Sequence, residues 1–339
     1  MIILFTKIYE KTKEFIVENY KHLLVLLAIF LLFWIELPYV VYKPGGVIDL
    51  SKRIEVENGH NYEGELNMSY VSMMKGNIPF ILLSYVIPNW DLEKSENVTY
   101  EGDSVSETLK KDKIQTESAM DNAVIASFKL TNHELEITGY HNKVIYIVNE
   151  AETTLKDYDE ILSIEGASVT NLEEMQKIVN SYKEGDILNI KVLRDNKEKI
   201  ATAKAFKVGD SLKVGVSLIT TYDYKTNPKV SIKTKASESG PSGGLMMALS
   251  IYNSLTEEDI TKGKKIAGTG TIDEFGKVGE IGGVKYKVLG AIKNEMDVFI
   301  CPEGNYEEAK KVLENEEADL KIIKVETLEE AVQKLQKLS

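Results

Sequence analysis

The chain has little cysteine, histidine or tryptophan: one Cys, four His and two Trp in 339 residues. A lone Cys301 excludes an internal disulfide, a thiolate metal site and a dithiol redox pair. It stands in Val298–Pro302, which reads as a buried strand ending at proline, so it is expected to be a packed core thiol. The net charge of -12 disfavours nucleic acid as a partner, because a phosphate backbone calls for a basic face. A phosphate loop, G-x-x-x-x-G-K-[ST], is also missing. The nearest approach, Gly270 to Lys277, has one residue too many between its glycines and Val278 where a hydroxyl is needed. No nucleotide, cofactor or metal is therefore expected.

At this length two or three domains are expected, and 43% hydrophobic residues suffice for packed cores. The most informative tract is Glu238-Ser239-Gly240-Pro241-Ser242-Gly243-Gly244-Leu245. Its glycines let the backbone turn sharply and a substrate carbonyl come close, and Pro241 presets a backbone angle suited to the start of a helix. The apolar run from Leu245 to Leu255 reads as that helix. Ser242 would then stand at a helix N-terminus, where unpaired N–H groups and the positive dipole end stabilise an oxyanion. Taken alone, the tract fits a nucleophile and a serine-capped turn about equally well.

A nucleophilic serine needs a base. The histidines, His22, His60, His133 and His141, all lie upstream of Ser242, and a serine–histidine arrangement would have to borrow one from another domain. Lysine can take that role if burial lowers its pKa. Winding Val284 to Asn294 at about 100° per residue places Lys285 amid Val288, Leu289 and Ile292, with Lys287 and Lys293 to its sides. Lys285 is therefore the lysine expected to be desolvated, and Lys287 and Lys293 are expected to be solvated.

Toward the N-terminus, Leu23 to Ile35 is uncharged and is extended past Glu36 by Leu37 to Tyr42. Together these supply the roughly 20 residues that cross a bilayer, with Trp34, Tyr39 and Tyr42 as interfacial anchors. Lys7, Lys11, Lys13 and Lys21 precede the run, which predicts a cytoplasmic N-terminus and an outward-facing remainder. A cleavable signal peptide is the rival, but no small-x-small site follows the apolar run. From Lys43 to about Ala126, the Pro44-Gly45-Gly46 turn, short alternating stretches and a polar tract at 101–121 suggest strands and then a helix or linker, with no assigned chemistry.

Two stretches carry family resemblances. From about Gly209 onward, G-P-S-G-G-L and G-T-G-T-I-D-x-x-G-K-V-G-E-I-G-G-V-K resemble the proteolytic domain of the Lon family, peptidases with a Ser-Lys dyad. The resemblance implies Ser242 as nucleophile and Lys285 as general base, with Thr269 and Gly240 as supporting residues. Ser-Gly-Gly stands where many members have Ser-Ala-Gly, a change expected not to affect the chemistry. Residues Asn132 to Lys207, with the strand Val144 to Val148 and a helix at Asn171 to Tyr182, resemble a bacterial, protease-associated PDZ domain. That likeness implies capture of peptide ends by strand addition, although no carboxylate-binding loop is clear near Thr138-Gly139-Tyr140.

In this order, the parts resemble the membrane-anchored PDZ and Lon-protease proteins of Gram-positive bacteria. The expected architecture is an α/β (α+β) Lon-type proteolytic domain preceded by a PDZ-like domain and an N-terminal transmembrane helix. The expected division is 1–21 cytoplasmic, 22–42 transmembrane, 43–126 a β-rich or linker region, 127–208 PDZ-like and 209–339 proteolytic.

The implied activity is ATP-independent cleavage of exposed segments of small membrane or secreted proteins or signalling peptides at the outer face of the membrane. The implied partners are peptide substrates and a lipid bilayer. Lon peptidase domains form rings, which leaves a homo-oligomer open. Two other readings are a membrane-tethered peptide-binding adaptor with a vestigial protease domain, and a soluble cytoplasmic Lon fragment.

Overall fold

The computed structural model describes residues 2–338. They divide into two compact units, one made of residues up to 44 together with 71–101, the other of 45–70 together with 102–338.

In chain order the first hundred residues form α1 (Ile2–Trp34), β1 (Glu36–Asp49), β2 (Ile54–Val56), β3 (Glu65–Asn77), α2 (Ile78–Ser84) and β4 (Asp91–Lys94). Helix α1 has neither Gly nor Pro, and Pro38 just beyond it lacks the N–H that a continuing helix would need. Its stretch Phe5–Trp34 is long and apolar enough to cross a bilayer, with mean hydropathy 1.8 and none of that window buried. The expected crossing segment 22–42 is corrected at its C-terminal end. The helix stops at Trp34, and Tyr39–Tyr42 pair antiparallel with Asp91–Lys94 of β4. Backbone groups engaged in a sheet cannot also belong to a membrane helix.

The second unit continues with α3 (Val105–Thr131), β5 (Glu134–Ile147), β6 (Glu160–Ile164), β7 (Ala167–Ser168), α4 (Leu172–Asn180), β8 (Ile187–Arg194), β9 (Lys197–Lys204), β10 (Phe206–Val208), β11 (Ser211–Lys213), β12 (Val216–Asn227) and β13 (Val230–Ile232). The polar tract at 101–121 becomes most of α3. Ser104 and Glu107 cap it reciprocally, and Asn132 ends it at φ 55°. Strands β12, β5, β6, β8 and β9 follow one another in a single sheet, with α4 packed through Met175 and Val179 into its core. The tight β8–β9 turn places Asp195 and Asn196 at φ 54° and 57°, the geometry of a two-residue hairpin loop.

The remainder is α5 (Gly244–Leu255), β14 (Lys265–Gly268), β15 (Thr271–Ile272), β16 (Val278–Gly279), α6 (Val284–Lys293), β17 (Val298–Pro302), α7 (Tyr306–Glu316), β18 (Lys321–Val325) and α8 (Leu328–Gln336). Strands β3, β14, β17 and β18 pair in parallel, β3 through Glu65–Met68. Every residue of β17 is buried, as expected for a parallel strand covered on both faces. Alternate side chains feed two cores. Ile300 joins Ala248, Leu249 and Leu335, from α5 and α8, whereas Phe299 and Cys301 join Val288 and Ala291 of α6. Cys301 is thus the buried core thiol that its sequence suggests.

This pairing corrects the expectation that 43–126 is a segment apart from the protease. Strand β3 is a member of the parallel sheet, and α3 lies against α5, where Ser127 Oγ donates to the Ala248 carbonyl at 2.8 Å. The sheet from β5 to β9 is therefore inserted between α3 and β12 of a discontinuous α/β domain.

Candidate active site

Ser242 occupies a single 3-10 turn, Pro241–Gly243, immediately ahead of α5. At the end of that turn the Gly244 N–H goes to the Pro241 carbonyl. Ser242 therefore lies in the first turn, at the positive end of the helix.

The turn is held from several sides. Gly240, at φ 99° in a region favoured only by glycine, donates its N–H to Thr116 Oγ1 of α3 at 2.8 Å. Arg53 clamps Glu238 at 2.7 Å. The Ser242 carbonyl accepts from the Gly270 N–H at 2.8 Å and from Thr269 Oγ1 at 3.0 Å. Gly243 is sterically required as the residues stand, because a Cβ there would lie 1.9 Å from Met68 Sδ of β3.

Thr269 is fully buried at the end of β14, its N–H bonded to the Ile300 carbonyl at 2.9 Å. Its hydroxyl accepts from Lys287 Nζ at 2.9 Å. One threonine hydroxyl thus touches both the nucleophile turn and a lysine amine. Lys287 is only 3% exposed, and burial alone pulls its ammonium down to about 7. A lysine near that value is half neutral at neutral pH and has a lone pair with which to accept a proton.

The expected lysine was the other one. Lys285 is half-exposed on α6, with Nζ 5.5 Å from the centre of its neighbour Tyr286's ring and its backbone N–H directed to Glu308 at 3.4 Å. The buried stripe of α6 comprises Val284, Lys287, Val288 and Ala291, at spacings of three and four, with Leu289 and Gly290 also buried. Counting Leu289 and Ile292 as its centre rotates the helix by roughly 100° and exchanges the roles of the two lysines. The signal was in the sequence, because Val284, Val288 and Ala291 flank Lys287, but alanine carries little weight in a hydrophobic count.

Thr269 does bond a lysine, as the resemblance implied, and that lysine is Lys287. Gly240 positions the turn without lying beside the amine. His141 of β5 is elsewhere, between Glu160 of β6 at 2.7 Å and Asp223 of β12 at 3.0 Å. No group of His, Cys, Asp and Glu able to hold a metal ion occurs among the described residues.

Three cavities lead toward the turn. One of ≈ 620 Å³ lies between α4 and the start of β12, lined by Leu172, Met175 and Leu218 among others. A second, ≈ 370 Å³, shares Leu172 and Leu218 with it. The third, ≈ 250 Å³, shares Ser118, Asn122 and Ile219 with the second and reaches Pro241, next to the serine. Along this path β12 is the terminal strand of its sheet. On its outer side α3 takes the Thr220 carbonyl through Ser118 and the Tyr222 N–H through Asp121.

A serine at a helix start is thus joined through a buried hydroxyl to a desolvated lysine on a parallel α/β frame, an arrangement suited to Ser-Lys peptidase chemistry. The sequence around it is similar to the Lon proteolytic domain. Residues 185–337 match the family model "Lon protease (S16) C-terminal proteolytic domain", and residues 127–205 match the PDZ domain model.

Among curated relatives, Lon protease of Azospirillum brasilense is 29% identical over 174 residues, covering 51% of this chain and 20% of that protein. Lon protease of Desulfatibacillum aliphaticivorans is 35% identical over 95 residues, covering 28% and 11%. The chain thus spans between 11% and 20% of the length of these relatives. Among solved structures, the PDZ domain of an SdrC-like protein from Listeria monocytogenes is 21% identical and has a TM-score of 0.21, covering 24% of this chain and 92% of that one. The Lon match includes neither β3 nor α3, which the structure adds to the domain.

Proposed function

We propose that this chain is a membrane-tethered serine endopeptidase that cuts exposed, extended polypeptide segments without ATP, using Ser242 as nucleophile and Lys287, in place of Lys285, as general base. The observation that carries this reading is the buried Lys287 amine bonded to Thr269, whose hydroxyl also bonds the backbone of the serine.

In the proposed reaction, neutral Lys287 takes the Ser242 hydroxyl proton as Oγ attacks the scissile carbonyl. The N–H groups at the start of the turn stabilise the oxyanion. The Lys287 ammonium then protonates the departing amine, leaving an acyl-serine and a neutral lysine. Water, deprotonated by Lys287, cleaves the ester and restores the serine.

The substrate approaches as an extended segment along these three neighbouring cavities, with the PDZ groove holding part of the peptide. An extended track accepts unfolded tails and loops and rejects folded domains, consistent with the lack of a phosphate loop in the sequence. Helix α1 serves as the anchor, and the lysines in its N-terminal part, Lys7 to Lys21, favour a cytoplasmic N-terminus and a peptidase at the outer face. The natural substrates are then small membrane or secreted proteins or signalling peptides.

The test is hydrolysis of an unstructured fluorogenic polypeptide by the detergent-solubilised protein. The parent should cut it and Ser242→Ala should not. Equal cleavage by both would remove Ser242 from the reaction.

A further inference from the structure

The first unit carries an apolar surface that its own fold does not cover. From Asn77 to Trp90 no residue is charged, between Lys75 on one side and Asp91 on the other. Helix α2 lies within this run and buries none of its residues. Leu82 is 62% exposed, and Tyr85 and Val86, just beyond the helix, are 76% and 78% exposed. A short helix of this composition on a soluble face would turn its leucines inward.

Position and charge say what covers it. Helix α2 sits beside the last turn of α1: the Phe33 and Phe80 rings meet edge-on at 6.3 Å, and Asn77 Nδ2 donates to the Phe33 carbonyl at 3.4 Å. Trp34, Ile35 and Leu37, where α1 gives way to β1, are exposed as well, so the apolar surface continues from one helix to the other. Polar groups bound it. Lys75 pairs with Glu36 at 2.8 Å, and Lys43 lies 5.2 Å from the Trp90 ring centre. Aromatic and basic groups with one apolar and one wet end suit the headgroup level.

The length of α1 points the same way. Its uncharged stretch from Leu23 to Trp34 rises only ~18 Å at about 1.5 Å per residue, against a hydrocarbon core of roughly 30 Å. A short apolar span draws flanking apolar groups into the bilayer.

We propose that α2 and the Tyr85–Ile87 segment dip into the lipid leaflet in which α1 ends, forming a second membrane contact that holds the first unit against the bilayer. This rests on α1 being the anchor, and the test separates the two claims. Single cysteines at Val86→Cys, at Leu27→Cys within α1 and at Asp210→Cys in the other unit would each carry an environment-sensitive fluorophore. The native Cys301 is buried, and its thiol is pushed up to about 12, so it does not compete for label.

The full chain is reconstituted in phosphatidylcholine–phosphatidylglycerol vesicles with and without acyl-brominated lipid. Loss of emission by brominated chains at both Val86→Cys and Leu27→Cys, with no loss at Asp210→Cys, is the expected result. Loss at Leu27→Cys alone overturns the α2 contact while leaving the anchor. A blue-shifted but unquenched Val86→Cys label means that protein covers the patch, and also overturns it. No loss at either site contradicts the anchor and this contact together.

Discussion

Lys287 Nζ lies 2.9 Å from Thr269 Oγ1 in a buried site, whereas Lys285, two residues earlier on the same helix, faces the Tyr286 ring and is half-exposed. The two lysines share a sequence neighbourhood and differ in solvation. Burial lets Lys287 be neutral at neutral pH, and hence act as a base.

Activity should follow the neutral fraction of Lys287. Its folded value of about 7 lies below the 10.5 of a free lysine, with burial as the cause. On peptide substrate, kcat/KM should rise about tenfold per pH unit below that value and level off above it. A profile that is flat between pH 6 and 8 would mean that no group titrating near 7 governs the rate.

The same burial has a consequence for stability. Between about 7 and 10.5 the unfolded chain holds a proton on Lys287 that the folded chain lacks, so this residue makes stability rise with pH through that window. The penalty is full below 7 and gone above 10.5. Lys287→Met should therefore raise the denaturant midpoint, by more at pH 7 than at pH 10. An equal gain at both would show that the amine is not desolvated.

Gly243 and Met68 should be coupled. A Cβ at 243 would come within 1.9 Å of Met68 Sδ, and forcing an extra carbon into a packed site costs about 1–3 kcal/mol. Gly243→Ala should lose that much stability in urea melts, and Met68→Ala should restore much of it in the double variant. Additive losses would show that the two positions do not interact.

Lys111 joins α3 to the inserted PDZ sheet. It is 2% exposed, with Nζ 2.8 Å from Asp103 and 2.6 Å from Asp157. Replacing Lys111 strands the partly buried Asp103 beside a more exposed Asp157, at a cost of about 1–3 kcal/mol. Lys111→Met should destabilise by that order, measured by urea unfolding. A change near zero would mean that solvent already satisfies both carboxylates.

Much of this was legible in the sequence. The helix at 245–255, the lysine helix at 284–294 and the strand at Val298–Pro302 were readable, because an apolar run buried on both faces admits few other readings. The nucleophile turn was readable because its glycines and proline have conformational reasons to be there. Strand β3 was not assigned to the protease, since a long-range parallel pairing such as Glu65–Met68 with Lys265–Gly268 leaves no local mark. Helix α3 read as polar because only part of it is buried, under α5. The buried lysine was misplaced by two residues because helical phase at Lys287 depends on Ala291 and Gly290, whose small side chains mark close packing without adding hydrophobicity.

The proposed chemistry turns on Lys287, and the most direct measurement compares kcat/KM for the parent, Lys285→Ala and Lys287→Ala on one unstructured peptide. General-base catalysis contributes about 10²–10⁴-fold. Lys287→Ala should lose at least that much while keeping a cooperative unfolding transition, and Lys285→Ala should stay within a few-fold of the parent. A Lys287→Ala enzyme that cuts at the parental rate, or a Lys285→Ala enzyme that is inactive though folded, would contradict it.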